Sequence, residues 1–246
     1  MQTRLLLALG ASLLFTVVGA RSASAQLTPA QVDAALHALE TQLHAPQSAL
    51  IGRPTRLPDG RAVIVAAVRR ARGDQAGQLV AVLVAQRAGA AALDGTVVLP
   101  AERAERLTVS DGSVSGDNGD VRVLQTTVSD FDDDTEPEVR IVMEYTTTAS
   151  PAVGYSRVRH VFFLDVVPAL TLAAAIESTD TPQADVLPLT RGTVLNEDTN
   201  ADGHRDLVWR WRSCEMPEGA TARRCGRNQR TVYVWQQTDD TWRRTP

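Results

Sequence analysis

Asp198-Thr199-Asn200-Ala201-Asp202-Gly203-His204-Arg205-Asp206 runs straight into Leu207-Val208-Trp209, an acidic loop followed at once by strand-type residues. Alternate residues of a tightly wound loop aim side-chain oxygens at one centre. Asp198, Asn200, Asp202 and Asp206 fall at positions one, three, five and nine of such a loop, and the seventh ligand is the backbone carbonyl of His204. Gly203 stands where the chain must turn sharply and a Cβ would obstruct it. Hard oxygen donors, three of them anionic, select calcium over zinc or copper, which leaves the His204 imidazole a bystander. The competing reading is an Asn/Asp/Gly-rich surface turn. Residues of strand type follow at once, so the loop opens a β-strand.

A second copy lies 68 residues upstream, from Asp130 to Glu138. Asp130, Asp132, Asp134 and Glu138 occupy the same offsets, with Glu136 at the carbonyl position. Thr135 replaces the turn glycine, and a β-branched residue resists positive φ. Carboxylates crowd this loop and repel one another, so a cation is electrostatically welcome. Similar sequence follows each copy. After the first come strand-like runs at 139–145, 157–164 and 170–176; after the second, at 207–211, 231–236 and 241–244. The EF-hand is excluded, because it needs a bidentate Glu at loop position twelve and a helix behind it. Ile141 and Trp209 hold that position here, and strands follow.

These residues resemble the FG-GAP or VCBS type of repeat, found in secreted bacterial proteins and in the propeller of integrin α chains. There a D-x-D-x-D-G-x-x-D/E loop joins two strands of a blade. The resemblance covers residues 121–246, as two degenerate modules at 121–180 and 188–246. It implies antiparallel sheets, in a partial or degenerate propeller or in a sandwich, with calcium in the loops. The Phe-Gly and Gly-Ala-Pro signatures of the family are missing from this chain.

The rest of the chain is consistent with a mainly β protein exported from the cytoplasm. Met1, Arg4, an apolar run over 5–18 and then Ala23-Ser24-Ala25 form the layout of a cleavable signal peptide, 1–25, with the cut after Ala25. The run is shorter than the roughly 20 residues of a membrane span, and no later segment is apolar enough to span, so no membrane span is expected in the mature chain. Thr28-Pro29 reads as an N-cap and first helical residue. Val32, Ala35, Leu36, Leu39 and Leu43 then recur at helical spacing, giving one amphipathic helix within 26–50. Region 51–120 is β-rich, with a hairpin from the runs 62–68 and 78–84, the tripeptide Arg72-Gly73-Asp74 in its turn, and a loop over 111–120.

Cys214 and Cys225 are the only cysteines, and in an exported chain they pair as a disulfide. Cutting after Ala25 removes Arg4 and Arg21, leaving 23 basic against 29 acidic residues, a net charge of −6. That sign repels phosphate backbones and anionic lipid, so nucleic acid is excluded as a partner. Trp209, Trp211, Trp235 and Trp242 all fall in the second module, either as core or as an aromatic platform for a protein or a sugar. No nucleophile or acid/base pair is placed: the Gly112–Gly116 segment has Val114 where a hydrolase elbow needs Ser. The expected function is a non-catalytic calcium-binding protein, periplasmic or secreted, presenting a surface to a protein or glycan. Its alternatives are an inhibitor or accessory subunit of a secreted enzyme, and a calcium-supported hydrolase.

Overall fold

A computed structural model describes residues 26–69, 77–87, 90–100, 107–110, 113–115, 121–150, 154–182, 188–236, 238 and 241–245. The expected signal peptide and the Arg72-Gly73-Asp74 turn lie outside these. Among the described residues no helix is long and apolar enough to cross a membrane.

Helix α1 (Pro29–Leu43) starts where its cap predicts. Thr28 Oγ1 accepts from Gln31 N at 3.2 Å, and the Gln31 side chain accepts from Thr28 N at 2.8 Å, a reciprocal capping box behind Pro29 at the first helical position. The helix ends at His44, in the left-handed conformation. Its buried stripe of Val32, Ala35 and Leu39 lies on a four-stranded antiparallel meander: β1 (Ser48–Arg56), β2 (Ala62–Arg69), β3 (Gly77–Arg87) and β4 (Ala90–Val98).

Strands β2 and β3 are apolar at nearly every position because both of their faces are covered. Ile64, Ala66, Val80 and Val82 meet the helix. Val63, Val65, Ala81 and Leu83 point the other way, into a core shared with a second sheet. A short hairpin, β5 (Thr108–Ser110) and β6 (Ser113–Ser115), adds Val109 to that core. Part of the segment expected to be loop is therefore strand.

The second sheet is one long antiparallel meander. Its strands are β7 (Val121–Ser129), β8 (Glu138–Ser150), β9 (Gly154–Asp165), β10 (Thr171–Pro182), β11 (Leu189–Glu197), β12 (Asp206–Glu215), β14 (Gln229–Gln236) and β15 (Thr241–Arg244), with the two-residue β13 (Arg224–Cys225) beside β12. Alternation along β8 and β9 divides the two cores. Ile141, Met143, Phe162 and Leu164 face the four-stranded sheet, while Val142, Val161 and Phe163 face away. The second core closes because the sheet curls, bringing Trp235 and Trp242 of the last strands over Phe163 and Phe131. Each fully buried large side chain contributes about 1.5–3 kcal/mol.

Counted along the chain, the long sheet is two units of four principal strands, β7–β10 and β11, β12, β14 and β15. Among the described residues the ladder between them is a single pair, Asp180 opposite Thr190. Within the second unit Cys214 and Cys225 are direct cross-strand partners and form a disulfide.

On the Val142 side of β8, Glu144 accepts from Arg122 at 2.7 Å and from Arg159 at 2.9 Å. Burial pushes the Glu144 carboxyl up, but these two guanidinium groups outweigh it and hold the group below its ordinary value. A depressed folded-state pKa contributes stability that is present above the ordinary carboxylate range and lost as pH falls through the folded value. Urea denaturation should therefore show a smaller loss of stability between about pH 6 and pH 3 for Glu144→Gln than for the parent protein.

Candidate metal centre in two touching hairpin loops

Both acidic segments are hairpin loops, and each joins the first two strands of its unit. The ladder closes behind the first at Ser129 opposite Glu138 and behind the second at Glu197 opposite Asp206. Their internal hydrogen bonds match one for one. Asp130 Oδ1 and Oδ2 accept from Asp133 N (2.7 Å) and Thr135 N (3.1 Å); Asp198 Oδ1 and Oδ2 accept from Ala201 N (2.7 Å) and Gly203 N (3.2 Å). Asp132 and Asn200 each accept from the residue two further on, at 3.1 and 3.2 Å. Asp134 and Asp202 do the same, at 2.7 and 2.9 Å. Glu138 and Asp206 reach back to the N–H of Phe131 and Thr199.

The backbone agrees as well. Asp133 and Ala201 have φ of 68° and 60°, and Thr135 and Gly203 have φ of 78° and 92°. Thr135 thus adopts the positive φ that its branched side chain resists, with its N–H held by Asp130. Neighbouring carboxylates acting as acceptors fix a turn that side-chain sterics alone disfavour.

The loops differ in how their oxygens converge. Among the described residues, the carboxylates of Asp130, Asp132, Asp134 and Glu138 each offer an oxygen within 4.8 Å of all the others. Two ligands on opposite sides of a calcium ion sit about 4.8 Å apart, twice a typical Ca–O bond of about 2.4 Å. The cluster therefore fits around one hard cation. Asp132 and Glu138 are 1 % and 2 % exposed. Burial first, and then the charge of Asp134, pushes Asp132 up to about 7. Burial, with the charges of Asp132, Asp134 and Asp130 added, pushes Glu138 up to about 9, against the opposing Phe131 N–H.

The second loop carries the motif glycine but is less convergent. Asp206 is shorter than Glu138 by one methylene and is fully buried. Its Oδ1 accepts from Trp235 N at 3.2 Å, and its Oδ2 from Thr199 N and the Thr199 hydroxyl. Asn200 replaces Asp132, and its amide donates to Asp202 Oδ2 at 2.7 Å. Asp202 is solvated and held below its ordinary value by the His204 N–H and by Asn200. Glu136 is exposed, and its N–H donates to Asp134.

The two loops also touch, which local sequence does not reveal. His204 Nδ1 lies 3.1 Å from the Asp132 carbonyl, and Arg205 N donates to the same oxygen at 3.3 Å. Arg205 Nε meets Asp133 at 3.0 Å, and Asn196 Nδ2 donates to Phe131 O at 3.2 Å. His204, expected only to lend its carbonyl, uses its ring to bridge the loops. Of the four tryptophans, Trp235 and Trp242 are buried and pack at 4.6 Å, and Trp242 Nε1 donates to Arg205 O at 3.0 Å. Trp209 and Trp211 are half-buried and stacked at 5.0 Å on one face of β12.

The matched loops give a paired expectation. A Cβ at Gly203 would meet nothing within 4 Å, so Gly203→Thr carries only the left-handed backbone penalty and should lower stability by about 1–2 kcal/mol. Thr135→Gly releases that strain at the cost of extra unfolded-state entropy and should be neutral or stabilising by up to about 1 kcal/mol. Urea denaturation of both variants in chelator checks the two signs.

The chain matches no known family model, no curated protein and no solved structure.

Proposed function

We propose that this is an exported, non-catalytic calcium-binding β protein, periplasmic or secreted, whose calcium-stapled loops hold the curled sheet so that it presents a surface to a protein or glycan partner. The observation that carries the reading is the convergence of Asp130, Asp132, Asp134 and Glu138 within 4.8 Å. Calcium suits this donor set because every contributing atom is a hard oxygen and calcium accepts six to eight such oxygens in flexible geometry. Asp198, Asn200, Asp202, the His204 carbonyl and Asp206 would hold a second ion, weaker because Asp206 is engaged with Trp235 and Thr199.

Export is supported by the Cys214–Cys225 disulfide, the form cysteines take in oxidising compartments. Kinship with FG-GAP or VCBS repeats is supported by the twofold recurrence of four strands with an acidic loop between the first and second. A structural role for the cation follows from where the loops sit: each closes a hairpin, and each touches the other.

Calorimetry on demetallated protein should register calcium binding, with Asp132→Asn and Asp134→Ala removing the tighter component and Asp198→Ala the weaker. At calcium ten times above the dissociation constant, one occupied loop stabilises the fold by about 1.4 kcal/mol, so chelator should lower the melting temperature by a few degrees. Terbium in the loops should be sensitised through Trp242. No binding heat at millimolar calcium, together with a melting temperature indifferent to chelator, would overturn the reading.

A further inference from the structure

The contact between the two loops runs through peptide groups that belong to the ligand sets themselves. The His204 carbonyl and Arg205 N are the two ends of one planar peptide. Its N–H donates to Asp132 O at 3.3 Å, so trans geometry turns the His204 carbonyl, the seventh ligand position of the second loop, away from the first loop. Asp132 O in turn shares a peptide with Asp133 N, which donates to Asp130 Oδ1 at 2.7 Å. Two peptides and two hydrogen bonds therefore join the first ligand position of one loop to the seventh of the other.

Further bonds hold this chain of groups from the sides. His204 Nδ1 lies 3.1 Å from the same Asp132 oxygen, and Arg205 Nε meets Asp133 at 3.0 Å. Asn196, next to last in β11, donates to Phe131 O at 3.2 Å, while the Phe131 N–H is held by Glu138, the ninth position of the first loop. Behind them the buried Trp242 donates to Arg205 O at 3.0 Å, tying the following peptide to the core. A shift of Asp132 is passed to Arg205, and the reverse.

We propose that the two loops take up their cations cooperatively, each ion raising the affinity of the other loop through the contact between Asp132 and Arg205. This rests on the reading of the loops as calcium sites and adds how one site governs the other. An ion in the first loop gathers Asp130, Asp132, Asp134 and Glu138 around one centre and so fixes the Asp132 carbonyl. The second loop, weakened by the diversion of Asp206 to Trp235 and Thr199, then finds its seventh ligand already in place. Ordering done for one ion is not repeated for the next, which gives positive coupling without a large change of structure. By linkage the effect is reciprocal.

Charge acts in the opposite sense, since an ion in one loop weakens the field at the other. That field is screened over about 8 Å in physiological salt. The first loop, with six carboxylates from Asp130 to Glu138, also stays anionic after one divalent ion enters.

Calorimetry with calcium on the demetallated, disulfide-bonded chain tests the coupling with single-loop variants. Asp134→Ala and the near-isosteric Glu138→Gln disable the first loop, and Asp198→Ala the second. Relative to the parent, the affinity of the second loop should fall about fivefold or more in either first-loop variant, the lower end of ordinary coupling between sites. The first loop should lose the same factor in Asp198→Ala. Arg205→Ala combined with Asn196→Ala removes two of the side-chain bonds between the loops and no ligand. In that background, disabling one loop should change the other about twofold or less. Added sodium chloride should leave the coupling positive, whereas coupling carried by charge alone has the opposite sign and shrinks. Melting curves in chelator confirm that each variant is folded, and if Asp134→Ala does not fold, Glu138→Gln and Asp198→Ala decide.

A second loop whose affinity is unchanged or raised when the first is disabled overturns the proposal, as does a full cross effect in the Arg205→Ala, Asn196→Ala chain. Two calcium heats that ignore each other overturn the coupling alone. A single heat confined to the first loop overturns the coupling and the second site. No calcium heat in the parent overturns the reading of the loops, and the coupling with it.

Discussion

The structure depends on one contact between segments far apart in the chain. The Asp132 carbonyl receives the Arg205 N–H and faces the His204 ring, while Arg205 grips Asp133. Through these bonds the hairpin that starts the first unit meets the hairpin that starts the second. The curl this imposes carries Trp242 over Phe163 and closes the second core. Among the described residues the ladder between the units is one pair, so the loops supply a second point of attachment. The Trp209 bond to Ser178 and the core beneath join the units as well.

That contact is set against an electrostatic conflict. Burial and mutual repulsion raise Asp132 and Glu138 well above ordinary carboxylates, so protonation at neutral pH is one relief and a divalent ion is the other. Only the second also satisfies Asp130 and Asp134 at the same centre. The carboxylates already accept the N–H groups that shape the turn, and each oxygen keeps a further lone pair for a ligand. The loop is pre-shaped, so a cation entering it meets little further ordering cost.

Local features were the legible ones. Thr28-Pro29 and the apolar period gave the helix, the runs at 62–68 and 78–84 gave the β2–β3 hairpin, and the two acidic loops could be read because every ligand lies within nine residues. The disulfide was legible because the chain holds only two cysteines, Cys214 and Cys225. Convergence within the loops was not legible in the same way. Asp206 is diverted by the N–H of Trp235, 29 residues away, a bond visible only once the sheet is folded. The touching of the loops spans 72 residues between His204 and Asp132 and leaves no local signature. The tryptophans split for a similar reason: Trp235 faces Trp242 across the β14–β15 ladder, toward the core, whereas Trp209 and Trp211 lie near the thin seam with β10.

The long sheet carries opposite charges at separate places. Acidic loops open β8 and β12, and Arg191 and Arg212 sit toward the other end of β11 and β12. From Asp206 to Arg212 is six residues of strand, about 20 Å at about 3.3 Å per residue. The Debye length in physiological salt is about 8 Å, so the field of the loops has largely decayed before it reaches Arg191 and Arg212. Glu197 and Glu144 are committed to Arg210, Arg122 and Arg159, and among the described residues Arg191 and Arg212 form no ion pair. A net-acidic protein thereby keeps a local concentration of positive charge on β11 and β12, separated along the strands from the acidic loops by more than two screening lengths.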